Sequence, residues 1–291
     1  MILNVSGRCD IPAFFSDWFI NRYREGYVDT RNPFNLKLVS RIYFKNVDLI
    51  VFCSKRPRPI IKYLKEINKP IIFHITITPY KSDIEHVGSK KDIIDSVKEI
   101  SKIIGRDNVF IRYDPIFISD KYNLDYHIKA FERLCSLVYP YANKIIISFI
   151  DMYKNVLKNI NDLKIKTFTE EDYKIIGTNF SSIAHKYNLK VQTCFEKDNL
   201  VKYGFDEGEC LSRVYAYQLT GKKFTSWKAR GCSCAEMVDI GAYNVCKHFC
   251  KYCYANFDEE SIIRNFSLHD DNSSLLIGNI EKDDVIKVRK K

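Results

Sequence analysis

Ile71-Ile72-Phe73-His74-Ile75-Thr76-Ile77 is the stretch on which the fold turns. Lys69-Pro70 precede it and Thr78-Pro79 follow, so polar residues and proline bound a short, largely β-branched run. That is the length and composition of a strand buried on both faces, as in a parallel sheet. Five similar runs occupy residues 2–5, 48–53, 108–113, 144–149 and 189–194.

Helical patterns fill the gaps. Ser89 is an N-cap with Asp92 three residues on, and Ile93, Ile94, Val97, Ile100 and Ile104 form a stripe ending at Gly105. Asn123 caps a second helix through Leu124, Ile128, Phe131, Leu134 and Val138, stopped by Pro140. Thr169 caps a third through Ile176, Phe180 and Ile183. Shorter helices are expected after Pro12 and Pro57, and one more over residues 207–219.

Six strand–helix units in series imply a parallel sheet with helical crossovers. A doubly wound sheet is the alternative, but no glycine-rich phosphate turn follows the first run, which favours the expected fold: α/β, a partial TIM-like barrel of about six strand–helix units with a cysteine-rich C-terminal extension. Residues 1–226 would form the partial barrel, and residues 227–291 the extension packed on its mouth. In such folds the chemistry sits at the carboxyl ends of the strands. The residues there are unusually polar: Arg8 and Asp10, Ser54 and Lys55, Thr76 and Thr78, Arg112 and Asp114, Ser148 and Asp151, and Glu196.

With 46% hydrophobic residues in 291, the chain can bury a full-sized core. No apolar run approaches a membrane span, and the first residues lack the basic start and apolar stretch of a signal peptide, so a cytoplasmic protein without membrane contact is expected. The formal charge of +10 raises nucleic-acid binding. Lysines are spread along the chain without an arginine-rich block, which fits a solvated surface better.

In a reducing compartment, clustered cysteines point to metal or redox chemistry. Seven of the ten cysteines fall in the last hundred residues. Cys246, Cys250 and Cys253 are separated by three and then two residues, a spacing that wraps one face of a [4Fe-4S] cube and leaves the fourth iron open. The alternative is zinc, with Cys250 and Cys253 paired to Cys232 and Cys234 and Cys246 idle. Cys232 and Cys234 with Cys194 and Cys210 would make a fully ligated second cluster. Alternatively, Cys194 and Cys210 are buried apolar fillers.

The segment Cys246-Lys247-His248-Phe249-Cys250-Lys251-Tyr252-Cys253-Tyr254 resembles the cluster loop of the radical S-adenosylmethionine family, including the aromatic Tyr252 before the third cysteine. Its Tyr-Cys-Tyr ending resembles the spore photoproduct lyase branch. The resemblance implies S-adenosylmethionine bound at the open iron and a one-electron donor such as a flavodoxin or ferredoxin. In most of that superfamily the loop follows the first strand, whereas here it comes after all six.

The whole chain resembles a bacterial family catalogued as domain of unknown function 1848. The resemblance is carried by Asp10-Ile11-Pro12-Ala13-Phe14, Arg31-Asn32-Pro33, Arg112-Tyr113-Asp114-Pro115, Asp239-Ile240-Gly241-Ala242-Tyr243-Asn244 and Cys250-Lys251-Tyr252-Cys253-Tyr254-Ala255-Asn256, among others. That family usually has threonine in place of Cys9, tryptophan in place of Cys53 and glycine in place of Phe249. Cys9 and Cys53 are then substitutions, and Cys135 is core on a helix face. Seven cysteines remain, dividing as three plus four. A phenylalanine at 249 would be strained if the glycine it replaces has positive φ.

Arg112 and Asp114 are the catalytic candidates, since an arginine fork holds carboxylate or phosphate bidentately; the alternative is that they pair with each other across the rim. Tyr252, Asn256, Thr76, Thr78, Ser148 and Glu196 are the candidates for cofactor contact. His74 reads as a satisfied interior histidine, and His127 and His185 as structural or solvated. Three classes of function follow: a radical enzyme with two clusters, a zinc- or cluster-stabilised barrel binding nucleic acid or protein, and an electron-transfer protein.

Overall fold

The structure, a computed structural model, describes residues 1–194, 196, 200–228 and 232–290. Its strands are β1 (Ile2–Val5), β2 (Tyr27–Asn32), β3 (Asn35–Tyr43), β4 (Leu49–Ser54), β5 (Ile71–Thr76), β6 (Val109–Ile116), β7 (Lys144–Phe149), β8 (Lys190–Thr193), β9 (Met237–Asp239) and β10 (Val285–Val288). Its helices are α1 (Ile11–Phe14), α2 (Ser16–Glu25), α3 (Lys90–Ile104), α4 (Leu124–Val138), α5 (Lys154–Lys158), α6 (Ile160–Leu163), α7 (Glu170–Lys186), α8 (Arg213–Thr220) and α9 (Glu259–Ser267). All six expected runs are strands. The expected caps are also present: Ser89, Asn123 and Thr169 each accept a backbone N–H of their helix, and Thr169 forms a reciprocal capping box with Asp172.

Seven strands form one sheet in the order β8-β7-β6-β5-β4-β1-β9, and every pairing is parallel. Helices flank it, and among the described residues no pairing joins β8 to β9, so the sheet is open. Successive side chains alternate between faces. One face sends Leu3, Phe52, Phe73, Ile111 and Ile147 into a core with Trp18, Val97, Phe131 and Phe180 of the flanking helices. The other sends Ile2, Leu49, Val51, Ile72, Phe110 and Ile146 against Leu211, Ala216 and Ala235. Here α8 covers the amino-terminal half of the face. Its Tyr215 hydroxyl donates to Asn108 Oδ1 at the start of β6, at 2.8 Å.

Two features depart from the sequence expectation. A helix was expected over residues 207–219, but α8 begins only at Arg213, capped by Ser212. The chain before it runs along β8, with Asp206 N–H donating to Val191 O at 2.8 Å and its carboxylate accepting from Val191 N–H. A second sheet of order β10-β3-β2 was not anticipated. Its hairpin is held to β10 by Arg31, whose guanidinium meets both oxygens of Asp284 at 2.5 and 2.7 Å. The stretch after residue 227 contributes β9 to the main sheet and β10 to the small one.

Ile146 is fully buried beneath α8. Ile146→Ala is expected to cost about 2–5 kcal/mol, read as a lower denaturation midpoint at unchanged m-value.

Candidate metal centre

The loop bearing Cys246, Cys250 and Cys253 is tied down along its length. Its Cys253 N–H donates to Cys250 O at 3.0 Å, closing the turn between two of the cysteines. Lys251 N–H donates to Ile84 O at 3.0 Å, and His86 N–H to His248 O at 2.7 Å, fixing it to the segment after β5. Asn155 and Asn159, after β7, donate side-chain N–H groups to Tyr254 O and Lys251 O, both at 2.8 Å. Tyr254 donates its hydroxyl to Gly7 O, after β1. The loop therefore spans the carboxyl ends of several strands.

Two buried side-chain networks anchor it. His248, within the loop and 2% exposed, meets Asp10 through Nε2 at 2.8 Å, while Asp10 also accepts from Lys55 N–H at 2.7 Å. Burial would raise the Asp10 pKa, but His248 together with Ser54 and Lys55 holds it below the usual value. Tyr252 donates to Glu85, and Lys55 Nζ reaches Tyr252 Oη at 2.7 Å and Glu85 Oε2 at 3.0 Å. Lys90 Nζ adds a contact to Glu85 Oε1 at 2.6 Å, and Thr78 donates to the same carboxylate. Glu85, Lys90 and His248 were missed by the sequence reading. His248 carried a signal, since it lies between Cys246 and Cys250; Glu85 carried none, because its role depends on Lys55 and Tyr252, both distant in sequence.

Phe249 has φ +46°, so the chain holds phenylalanine in a left-handed conformation that favours glycine. Burial raises the thiol pKa of Cys246, Cys250 and Cys253; Asp10 adds to the shift at Cys246, and Lys55 opposes it at Cys250. The three thiols lie near enough that each of Cys250 and Cys253 disfavours ionisation of Cys246. A metal would have to displace their protons.

The other four cysteines also meet. Cys194 follows β8, and its N–H bonds Ile147 O at 2.8 Å. Ala235 N–H donates to Leu211 O at 3.0 Å, which lays Cys234 beside Cys210. Cys210 lies against both Cys194 and Cys234, and Cys234 against Cys232. Hydrogen bonding from Cys210 lowers Cys194 to about 6 and Cys234 to about 5, with Arg112 also favouring the Cys194 thiolate, while Cys210 itself is raised. Zinc, at about 2.3 Å from each sulfur, draws its ligands to about 3.8 Å from one another. Among the described residues only Glu281, Asp283 and Asp284 bring three ligand atoms within 4.8 Å, so neither cysteine group is drawn in that tightly.

Between the two groups lie the strand-end candidates. Arg112 Nε donates to Asp114 Oδ2 at 2.8 Å, and Nη2 to the same oxygen, so the two residues pair with each other. Ser148 donates to Asp114. Burial opposes the charge of Arg112, but Asp114, Cys194 and Cys210 outweigh it and raise its pKa. Glu196 accepts Phe149 N–H at 2.8 Å, and burial, reinforced by Asp151 and Cys194, pushes its carboxyl up to about 7. Thr78 is buried and engaged by Glu85, while Thr76, partly exposed, stands in register with Arg112. Asn256 Nδ2 donates to Cys246 O at 2.9 Å, and its Oδ1 is buried without a partner. Cys53, its thiol pushed up to about 12 by burial, and the core residues Cys9 and Cys135 stand outside both groups.

His74 is interior but not satisfied. Its Nδ1 has no partner, Phe110 meets its ring edge-on, and burial with the nearby cations Arg112 and Lys144 holds its pKa well below the usual value. His127 is structural, with Nδ1 on Tyr113 Oη and Nε2 on Phe117 O, both at 2.9 Å. Many surface cations pair with carboxylates, among them Arg24 with Glu66, Arg58 with Glu99 and Lys251 with Asp162. No helix among the described residues is long and apolar enough to cross a membrane.

Fold and site together define an α/β protein with a parallel sheet, a cysteine loop across the carboxyl ends of its strands and a second group of thiols against one sheet face. The family model described as domain of unknown function (DUF1848) matches residues 2–255, and the chain belongs to that family. No curated protein matches. Among solved structures, the enoyl-acyl carrier protein reductase of Bacillus cereus, in complex with NADP+ and indole naphthyridinone, aligns over 66% of this chain and 70% of its own at 6% identity, with a TM-score of 0.26. So loose a likeness carries no argument.

Two outcomes test the anchoring of the loop. Burial would raise the Glu85 pKa, but Lys55, Lys90 and Thr78 hold it well below the usual range. Its stabilising contribution is complete above the unfolded value of about 4.3 and is lost as pH falls below it. Glu85→Gln is expected to cost about 3–5 kcal/mol at pH 7 by leaving two lysines without their anion, and to flatten the loss of stability below that pH in urea titrations. Phe249→Gly is expected to stabilise by about 1 kcal/mol through relief of the left-handed backbone, less the lost ring contact with His86, read as a raised Tm.

Proposed function

We propose that this protein is a radical S-adenosylmethionine enzyme with a reactive three-cysteine [4Fe-4S] cluster and an auxiliary four-cysteine cluster. The observation that carries it is the place of the cysteine loop. It leaves from β9, which pairs in parallel on the outer side of β1. Read across space, the row is β9-β1-β4-β5-β6-β7-β8. A loop late in the chain thus follows the first strand of that row, where the resembled superfamily carries its cluster loop.

The strand order favours the finer fold as well. From β1 through β8 the main-sheet order never reverses. Right-handed crossovers that advance in one direction put their helices on one face and leave the other for a partial barrel's interior. In this fold Cys246, Cys250 and Cys253 would hold the open cluster, with Tyr252 and Asn256 beside it, and Cys194, Cys210, Cys232 and Cys234 the closed one. Arg112, Asp114, Ser148, Thr76 and Glu196 line the space between, where substrate would be held and oriented. A cluster with one open iron, given S-adenosylmethionine and an electron, supplies a 5′-deoxyadenosyl radical. The electron would come from a flavodoxin or ferredoxin in the cytoplasm.

Anaerobically isolated protein is expected to carry about eight irons, two cubes by stoichiometry, and to release 5′-deoxyadenosine when reduced with S-adenosylmethionine. Cys250→Ala is expected to lose about half the iron and all of that release, whereas Cys232→Ala keeps the open-cluster spectrum. Stoichiometric zinc without iron would refute the proposal. Iron without any 5′-deoxyadenosine would favour electron transfer instead.

A further inference from the structure

We infer that β10 pairs with β10 of a second copy of this chain, joining the two small sheets into one across a two-fold axis. In the order β10-β3-β2, β10 is an edge strand, hydrogen-bonded to β3 and, among the described residues, to no strand on its other side. Arg289 N–H donates to Arg41 O at 2.8 Å, and successive residues of a strand turn their backbone groups to alternate edges. Val285 and Lys287 therefore face β3 as well, and the N–H and C=O groups of Ile286 and Val288 face away from it. The side chains match that edge. Val285, Ile286 and Val288 are 53%, 39% and 53% exposed, so apolar residues stand in water along a strand with a free side. Such an edge is a template for another strand.

The charges around β10 select its own copy and set the direction. Glu281, Asp283 and Asp284 precede the strand, and Arg289 and Lys290 follow it. Antiparallel pairing lays the acidic start of each strand against the basic end of the other. Parallel pairing would stack Lys287 on Lys287 and Arg289 on Arg289, which is unfavourable. An antiparallel two-fold contact is also closed, so it ends at two copies. Even-numbered residues carry the outward backbone groups, so even must face even, and centring on Lys287 would set two lysines face to face. With Ile286 on the axis, the two Ile286 residues exchange both bonds, and each Val288 N–H meets Asp284 O of the other copy. Asp283, exposed beside Lys37, then lies opposite Arg289 of the second copy, and Lys287 opposite Val285. Lys282 faces Lys290 only beyond the ladder, where long side chains splay into water, and Asp284 keeps its pairing with Arg31. A four-residue edge buries less than the roughly 1,600 Å² of a standard interface, so the dimer is weak, with a dissociation constant on the order of 10–100 μM.

Sedimentation equilibrium of the full chain, isolated anaerobically in excess dithiothreitol so that no cysteine links two copies, tests this. The expected result is a monomer that passes to twice its mass as concentration rises through that range. Ile286→Pro removes an outward N–H and spares those that face β3, a place where edge strands accept proline. It is expected to weaken association about tenfold or more. Arg289→Asp, which sets two carboxylates opposite each other, is expected to weaken it as well, and adding Asp283→Lys to that variant is expected to restore it. Should Ile286→Pro fail to fold, amide hydrogen exchange of the wild-type chain reads the same contact: Ile286 and Val288 N–H are expected to slow as concentration rises, and Val285 and Lys287 N–H to stay unchanged. A chain that remains monomeric through that range, or a dimer that neither Ile286→Pro nor Arg289→Asp weakens, overturns the inference. Neither result bears on what the cysteines bind, so this inference and the proposed function are tested separately.

Discussion

Parallel pairing is the constraint on which the rest depends. Seven strands running one way put all their carboxyl ends along a single edge. Each connection must return to the far edge, so whatever follows a strand begins beside whatever follows its neighbours. Gly7 after β1, Lys55 after β4, Glu85 after β5, Asp114 on β6, Asn155 after β7 and Cys194 after β8 become a neighbourhood for this reason alone. Their sequence separations are large, and their contacts follow from the direction of the strands.

That edge is crowded with charge, and the charges are sorted. Glu85 is fully buried with lysines on either side, and Asp10 is buried against His248. Buried ion pairs are weak sources of net stability, because desolvation offsets much of their attraction. They do fix geometry, since each partner becomes costly to leave alone. Here the fixed object is the cysteine loop: Tyr252 and His248 project from it into these two pairs. The Arg112–Asp114 pair does a different job. It holds a guanidinium near Cys194 by tying it to the Asp114 carboxylate.

The strands and the three capped helices were legible in the sequence because each rests on local signals. β-Branched runs, Ser, Asn or Thr caps and cysteine spacing are visible without knowing what lies across the fold. The extent of α8 was misread because periodicity continued through residues 207–212, while Ser212 caps the helix only at Arg213 and Leu211 O is taken by Ala235 N–H. β9 and β10, three and four residues long, are too short for a pattern to declare them. His74 was legible as interior but not as unsatisfied, since its lack of a partner depends on which side chains β6 and β7 place beside it. Glu85 was invisible for the same reason.

β9 shows why chain order is a poor guide to chemistry in such a sheet. Three residues of pairing hold an edge strand weakly, but Asp239 at its end adds what the ladder lacks. Its carboxylate accepts from Asn4 Nδ2 at 2.9 Å, Ser6 Oγ at 2.7 Å, Gly7 N–H at 2.6 Å and Gly241 N–H at 2.8 Å. Three of these donors belong to β1 and its exit turn, so one carboxylate locks the end of the late strand to the end of the first. The chain then leaves Asp239 in the same place and direction as it leaves β1. A cysteine loop that begins there meets the strand ends from the same side as one encoded near the amino terminus. The position of that loop is therefore set by Asp239 and the parallel register of β1 with β9, and its place in the sequence is free to differ.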